Sequence, residues 1–202
     1  MNKTLRKVLK YNNNMLFYMP KNKKAIIDQD LHKQVWEKYN GDKSCVKCPC
    51  CEIFDIHYAS HECGHIVAEA NGGATTIDNL IPICSLCNKS MHTTNYYEFK
   101  EFLDGQKEVD PKHLPKMIKT KIWYKHYKLN MNGKCLCCKK ATIANDDFYT
   151  AIRTKNEKDG SYVIQNMLPI CKKCHMLLKN NKWDDVADND NHCCCVLWFL
   201  SY

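Results

Sequence analysis

The chain has 202 residues, 45% of them hydrophobic and 26% charged, with a formal net charge of +8. No apolar run approaches the ~20 residues that cross a bilayer, and no apolar stretch follows the basic opening Met1–Lys10, so neither a membrane span nor an export signal is expected. The positive balance suits an anionic partner, nucleic acid being the commonest, or else a solvated basic surface.

That setting decides how the 15 cysteines are read. In an exported chain they would mark disulfides. Without an export signal they point to an intracellular thiol protein that binds metal. The length suits one medium domain or two small ones, and small domains gain from such staples.

In chain order, residues 1–29 form a leader with seven Lys/Arg against one Asp. Unit 1 spans residues 30–105. It opens with LHKQVWEKY, a short helix around Trp36, and then reaches the cysteine pair of CPCC, Cys48 and Cys51. A hairpin is expected next, since HIV is β-prone and NGG is a turn signal. The second pair, Cys84 and Cys87, ends NLIPICSLC, and a helix should start there and run through NKSMHTTNYYEFKEFL. Residues 106–115 carry two prolines and read as a linker. Unit 2, residues 116–185, follows the same plan with KMIKTKIWYKHY, CLCC and NMLPICKKC. The acidic stretch Asp184–Asn191 reads as a solvated loop. The apolar tail Cys193–Tyr202 reads as a buried strand, a docking peptide or an acylation site.

The two units are a repeat displaced by 87 residues. Trp36, Cys48, Cys51, Asn79, Pro82, Cys84 and Cys87 correspond to Trp123, Cys135, Cys138, Asn166, Pro169, Cys171 and Cys174. The 32-residue gap between cysteine pairs is the same in both. Because they recur at equivalent sites, Trp36 and Trp123 are expected in the core rather than stacked on bases.

A CxxC turn places two thiolates on one side of a tight knuckle. Two such knuckles complete a tetrahedral four-thiolate zinc site, which is closed and therefore structural. Cys48, Cys51, Cys84 and Cys87 are assigned to one Zn²⁺, and Cys135, Cys138, Cys171 and Cys174 to a second. Cys45 offers a competing pair with Cys48, but its counterpart is Asn132, so the repeat decides against it. Cys50 and Cys137 fall inside the knuckles and are expected to point outward. Cys193–Cys195 read as unpaired apolar thiols.

The order C-x2-C, GHI, GG, DNL-x-PIC-x2-C-N resembles the HNH endonuclease family, the ββα-metal nucleases often clasped by a four-cysteine zinc. The likeness covers Cys48 to Asn95, extends to unit 2 in weakened form, and is especially similar to HNH proteins of large DNA viruses and phages. It implies an α+β fold of two tandem zinc-clasped ββα (treble-clef, HNH-like) units with flanking helices. It also implies roles. His65 would be the general base that takes a proton from the attacking water, as an imidazole can near neutral pH. Asn79 would tie down the loop that sets the histidine. Asn88 would be a ligand of a catalytic Mg²⁺ or Mn²⁺ ion distinct from the zinc, although an Asn after the knuckle can also cap a helix.

One position departs from the family. The residue before the base is usually a second metal ligand, Asp or His, and here it is Gly64. Cys63, Glu62 and His61 are near enough to supply the ligand if the strand end is bulged. Glu62 is preferred because oxygen suits a hard cation. His57, His61 and His92 are otherwise expected to be exposed and uninvolved.

In unit 2 the counterpart of His65 is Ile152 and that of Asn88 is His175. A unit with no base should be catalytically dead and serve as a platform for nucleic acid or for docking on unit 1. Lys121, Lys125 and Lys128 would share one face of a helix and could neutralise phosphates, or could simply be solvated. The resulting expectation is a metal-dependent nuclease acting on double-stranded DNA, with mostly backbone contacts. The alternative is a non-catalytic zinc-dependent nucleic-acid-binding or transcription-type factor on the same scaffold, which Gly64 favours.

Overall fold

The computed structural model describes residues 26–154 and 162–179, with the backbone of three further strands at 8–11, 15–18 and 197–200. Most of the basic leader, the acidic stretch Asp184–Asn191 and Cys193–Cys195 lie outside the described residues. In the leader, β1 (Val8–Tyr11) and β2 (Met15–Tyr18) form an antiparallel pair.

Unit 1 begins with α1 (Gln29–Asn40). Asp28 caps it by accepting from the Leu31 N–H at 2.8 Å, and Gly41 ends it at φ 57°. Its inner side buries Val35 and Trp36, and the Trp36 indole donates to the Lys43 carbonyl at 2.8 Å. The hairpin of β3 (Cys45–Lys47) and β4 (Asp55–His57) carries the first knuckle. A second antiparallel pair, β5 (Glu62–His65) and β6 (Leu80–Ile83), leads to the second. Two helices follow, α2 (Ser85–Met91) and α3 (Tyr96–Asp104). A single helix was expected there. His92, at φ 50°, ends α2, and the Tyr96 N–H donates to the Ile66 carbonyl at 2.9 Å, docking the new helix on the β5–β6 loop.

Unit 2 repeats this at the level of individual hydrogen bonds. It comprises α4 (Lys116–Tyr127), the hairpin of β7 (Asn132–Lys134) and β8 (Thr142–Ala144), β9 (Tyr149–Thr154), β10 (Met167–Ile170) and α5 (Lys172–Lys179). His65 pairs with Leu80 and Ile152 with Met167; Cys45 pairs with His57 and Asn132 with Ala144. The Trp123 indole donates to Asn130 at 2.8 Å, as Trp36 does to Lys43. The final strand, β11 (Leu197–Leu200), pairs antiparallel with the far edge of β9.

The units share a core rather than hanging from a tether. One apolar cluster joins Trp36, Ile83, Met91, Phe99 and Leu103 of unit 1 to Met117, Ile118, Ile122, Ile164 and Met167 of unit 2. Polar contacts fasten the seam: Met117 N–H to Ser90 Oγ at 3.0 Å, Lys121 Nζ to the Cys51 carbonyl at 2.8 Å, and Gln165 Nε2 to the Asp104 carbonyl at 2.6 Å. Val109, between the units, is buried and donates its N–H to Tyr162. Among the described residues no helix is long and apolar enough to cross a membrane.

Candidate metal centres and active site

The thiol quartets form as the spacing predicts. Cys48, Cys51, Cys84 and Cys87 bring their sulfurs within 4.8 Å of one another, and so do Cys135, Cys138, Cys171 and Cys174. In unit 1 the Cys48–Cys87 and Cys51–Cys84 sulfurs lie 3.9 and 4.0 Å apart. Backbone N–H groups point at the sulfurs: Cys84 N to Cys48 Sγ at 3.3 Å and Cys171 N to Cys135 Sγ at 3.2 Å. Such donors stabilise thiolates. Crowding splits the protons unevenly, since hydrogen bonding with Cys48 holds the Cys51 thiol well below its ordinary value and pushes Cys87 well above it. Four sulfurs this close become thiolates together only around a cation, which fits a closed, structural Zn²⁺ in each unit.

Cys50 corrects an expectation. It is fully buried in the shared core rather than pointing outward, while its counterpart Cys137 is half-buried. The lysine face on α4 needs a second correction. Lys121 donates to Cys51, Lys125 donates to the Gln165 carbonyl, and Lys128 sits over the Tyr124 ring at 5.1 Å. Lys121 and Lys125 hold the molecule together instead of presenting a row of ammonium groups.

Between the knuckles, β5 and the loop after it carry the rest of the candidate site. Asn79 clamps the loop with three hydrogen bonds. Its Oδ1 accepts from the Val67 N–H at 2.8 Å, and its Nδ2 donates to the Val67 and Ala74 carbonyls at 3.0 and 2.9 Å. Gly73 is required by this clamp: a Cβ there would strike the Val67 carbonyl and lie 2.7 Å from Asn79 Nδ2. The loop so held places Thr75 Oγ1 3.0 Å from His65 Nε2. His65 is half-buried, and Nδ1 is its remaining nitrogen. Thr75 belongs to the candidate site and was not expected from the sequence; nor was Asn95, which braces the same loop by accepting from the Ala68 N–H at 3.0 Å and from Asn71 Nδ2 at 3.1 Å. The density of Asn and Thr in this stretch was the available signal.

Asn88 does not cap α2. Cys84 is the N-cap, accepting through its sulfur from the Cys87 N–H. Asn88 instead donates from Nδ2 to Glu62 Oε2 at 2.7 Å. Glu62 and Gly64 leave β5 on the face that packs against α2, where a Cβ on Gly64 would collide with Ile83 and lie 3.2 Å from Met91 Cε. Strand alternation sends Cys63 and His65 to the opposite face, and Cys63 packs against Val35 and Leu80. A carboxylate and a carboxamide are oxygen donors suited to a hard divalent cation, so the Glu62–Asn88 pair fits one of the Mg²⁺ or Mn²⁺ class.

His57 and His92 are exposed as expected, but His61 is not. It is 4% exposed, with its ring stacked on His32 at 3.8 Å and tilted against Trp36 at 4.8 Å. In unit 2, Ile152 is fully buried where a base would stand, and His175 packs on Tyr149 with ring centres 4.5 Å apart.

Two knuckles, a strand pair and a helix starting at the second knuckle define a zinc-clasped ββα unit. The family model for HNH endonuclease matches residues 48–94, the segment from the first knuckle through α2. This segment is an HNH-type domain, which indicates a nuclease or other nucleic-acid-related function, and both thiol quartets fit zinc-clasped units of that type. No curated protein and no solved structure matches the chain.

Proposed function

We propose that unit 1 is a metal-dependent endonuclease that hydrolyses phosphodiester bonds in double-stranded DNA, with unit 2 as a non-catalytic platform. His65 is the general base: Thr75 occupies Nε2 and orients the ring, leaving Nδ1 to accept the proton of the attacking water. Water oxygen bonds to phosphorus, its proton passes to His65, and the bond from phosphorus to one sugar oxygen breaks. Asn79 keeps the loop and therefore Thr75 in place. Glu62 and Asn88 supply oxygen ligands for a divalent cation, which when bound provides Lewis-acid stabilisation of charge on the phosphate.

The observation that carries this reading is the meeting of Glu62 with Asn88. The family's usual second ligand is missing at Gly64, yet a carboxylate two residues upstream, on the same strand face, reaches the position beside Asn88. The test is plasmid nicking in Mg²⁺ or Mn²⁺. His65→Ala should lower cleavage by about 10²- to 10⁴-fold, the usual contribution of a general base, while DNA binding persists. A non-catalytic DNA-binding factor is the second reading. It is favoured by Gly64 and by the missing base in unit 2, where Ile152 stands at the position of His65. Salt-sensitive binding without cleavage in any divalent metal would establish it instead.

A further inference from the structure

His32 on α1, with His61 and Cys63 on the approach to and within β5, converge away from both thiol quartets. One donor atom from each lies within 4.8 Å of the other two. The hydrogen bonds select the nitrogens. His61 Nδ1 lies 2.9 Å from the Tyr58 carbonyl, so Nδ1 carries the proton and Nε2 the lone pair. His32 Nε2 lies 3.0 Å from the His61 carbonyl, which leaves the lone pair on Nδ1. Backbone carbonyls that fix the tautomer in this way are the usual outer partners of metal-binding imidazoles.

His61 Nε2 is buried with no hydrogen-bond partner among the described residues, on a residue only 4% exposed. A buried polar atom left unpaired is destabilising, and packing does not demand it. The counterpart of His61 is Phe148, which packs on Trp123 at 5.3 Å much as His61 packs on Trp36. The counterparts of His32 and Cys63 are Lys119 and Thr150. All three donor residues are therefore specific to unit 1, at positions where the repeat folds without them.

We propose that His32, His61 and Cys63 form a third metal site, for a borderline transition ion of the Zn²⁺ class, which pins α1 to β5. Two imidazoles and one thiolate suit Zn²⁺ or Co²⁺ and are poor donors for Mg²⁺ or Ca²⁺. The site is independent of the nuclease reading and needs neither His65 nor Asn88.

The test is the zinc content of the full chain after zinc loading and desalting. Among the described residues the two quartets and this triad predict three zinc ions. His61→Phe and Cys63→Thr, which copy the residues unit 2 uses, should each lower the count to two, while His65→Ala and Asn88→Ala keep three. Co²⁺-loaded wild type minus Co²⁺-loaded His61→Phe should give the charge-transfer intensity of one sulfur rather than four. A folded wild type holding two zinc ions overturns the proposal without recourse to any variant. So does a third zinc that survives both His61→Phe and Cys63→Thr, or one that departs with His65→Ala.

Discussion

Asn88 Nδ2 donates to Glu62 Oε2 at 2.7 Å, joining the fourth residue of α2 to the first of β5. Glu62→Gln keeps the size of the side chain and its ability to accept from Asn88, but removes the negative charge. The charge of the ligand set tunes divalent-ion affinity. The Mg²⁺ concentration for half-maximal cleavage should therefore rise by about 10- to 100-fold, the range seen when a metal site loses a supporting group. Unchanged metal demand combined with a lower melting temperature would make the pair a purely structural clasp.

Gly64 is empty for a packing reason. Its Cβ would fall inside van der Waals contact of Ile83 Cδ1, and Ile83 is fully buried in the shared core. Installing the aspartate usual in the family, Gly64→Asp, should overpack this spot and cost about 1–3 kcal/mol. Urea denaturation would report it as a lower midpoint with the slope unchanged. Ile83→Val on that background should recover part of the loss. A Gly64→Asp protein as stable as wild type would mean that β5 and α2 separate more easily than their packing indicates.

The features legible in the sequence are those written in spacing. Both thiol quartets, the tryptophan helices and the strand pairs follow from CxxC turns and the 87-residue repeat, and neither needs knowledge of distant contacts. What was misread depends on such contacts. His61, in a polar stretch, reads as surface, and it is buried by His32 from 29 residues upstream. Lys121 reads as a phosphate contact until its ammonium meets the carbonyl of Cys51, 70 residues away. Cys50 reads as a knuckle's outer residue, yet it is buried within the apolar cluster that joins the two units. In each case the docking of one helix or unit on another decided the outcome, and local pattern carries no record of that.

Chelation should unfold both units together. Structural zinc in small domains is worth about 10–16 kcal/mol of apparent binding energy, against a net stability of about 5–15 kcal/mol for a whole domain. Much of the core is one cluster that joins Ile83, Phe99 and Leu103 of unit 1 to Met117, Ile118, Ile122 and Met167 of unit 2, and a second cluster around Trp123, Cys135 and Ile170 sits within unit 2 itself. Cys48→Ser and Cys135→Ser should each therefore give a single, strongly lowered melting transition rather than the loss of one of two. Circular dichroism and intrinsic fluorescence from the four tryptophans, Trp36 and Trp123 among them, should report the same midpoint. Two separated transitions would show that the seam between the units is weak.

Gly41 and Lys128 end equivalent helices in nearly the same backbone conformation, at φ 57°, ψ −132° and φ 56°, ψ −131°. Glycine adopts that geometry freely. A lysine there stores strain of about 1–3 kcal/mol. Lys128→Gly releases it, at the expense of about 0.4–1 kcal/mol of added unfolded-chain entropy and ~0.5 kcal/mol from the exposed contact with Tyr124. The balance is a gain of about 1 kcal/mol, read as a higher urea midpoint. Gly41→Lys should move unit 1 the other way by a similar amount. Should Lys128→Gly lower the midpoint instead, the contact with Tyr124 outweighs the backbone strain, and the two helix ends are alike in shape but not in energy.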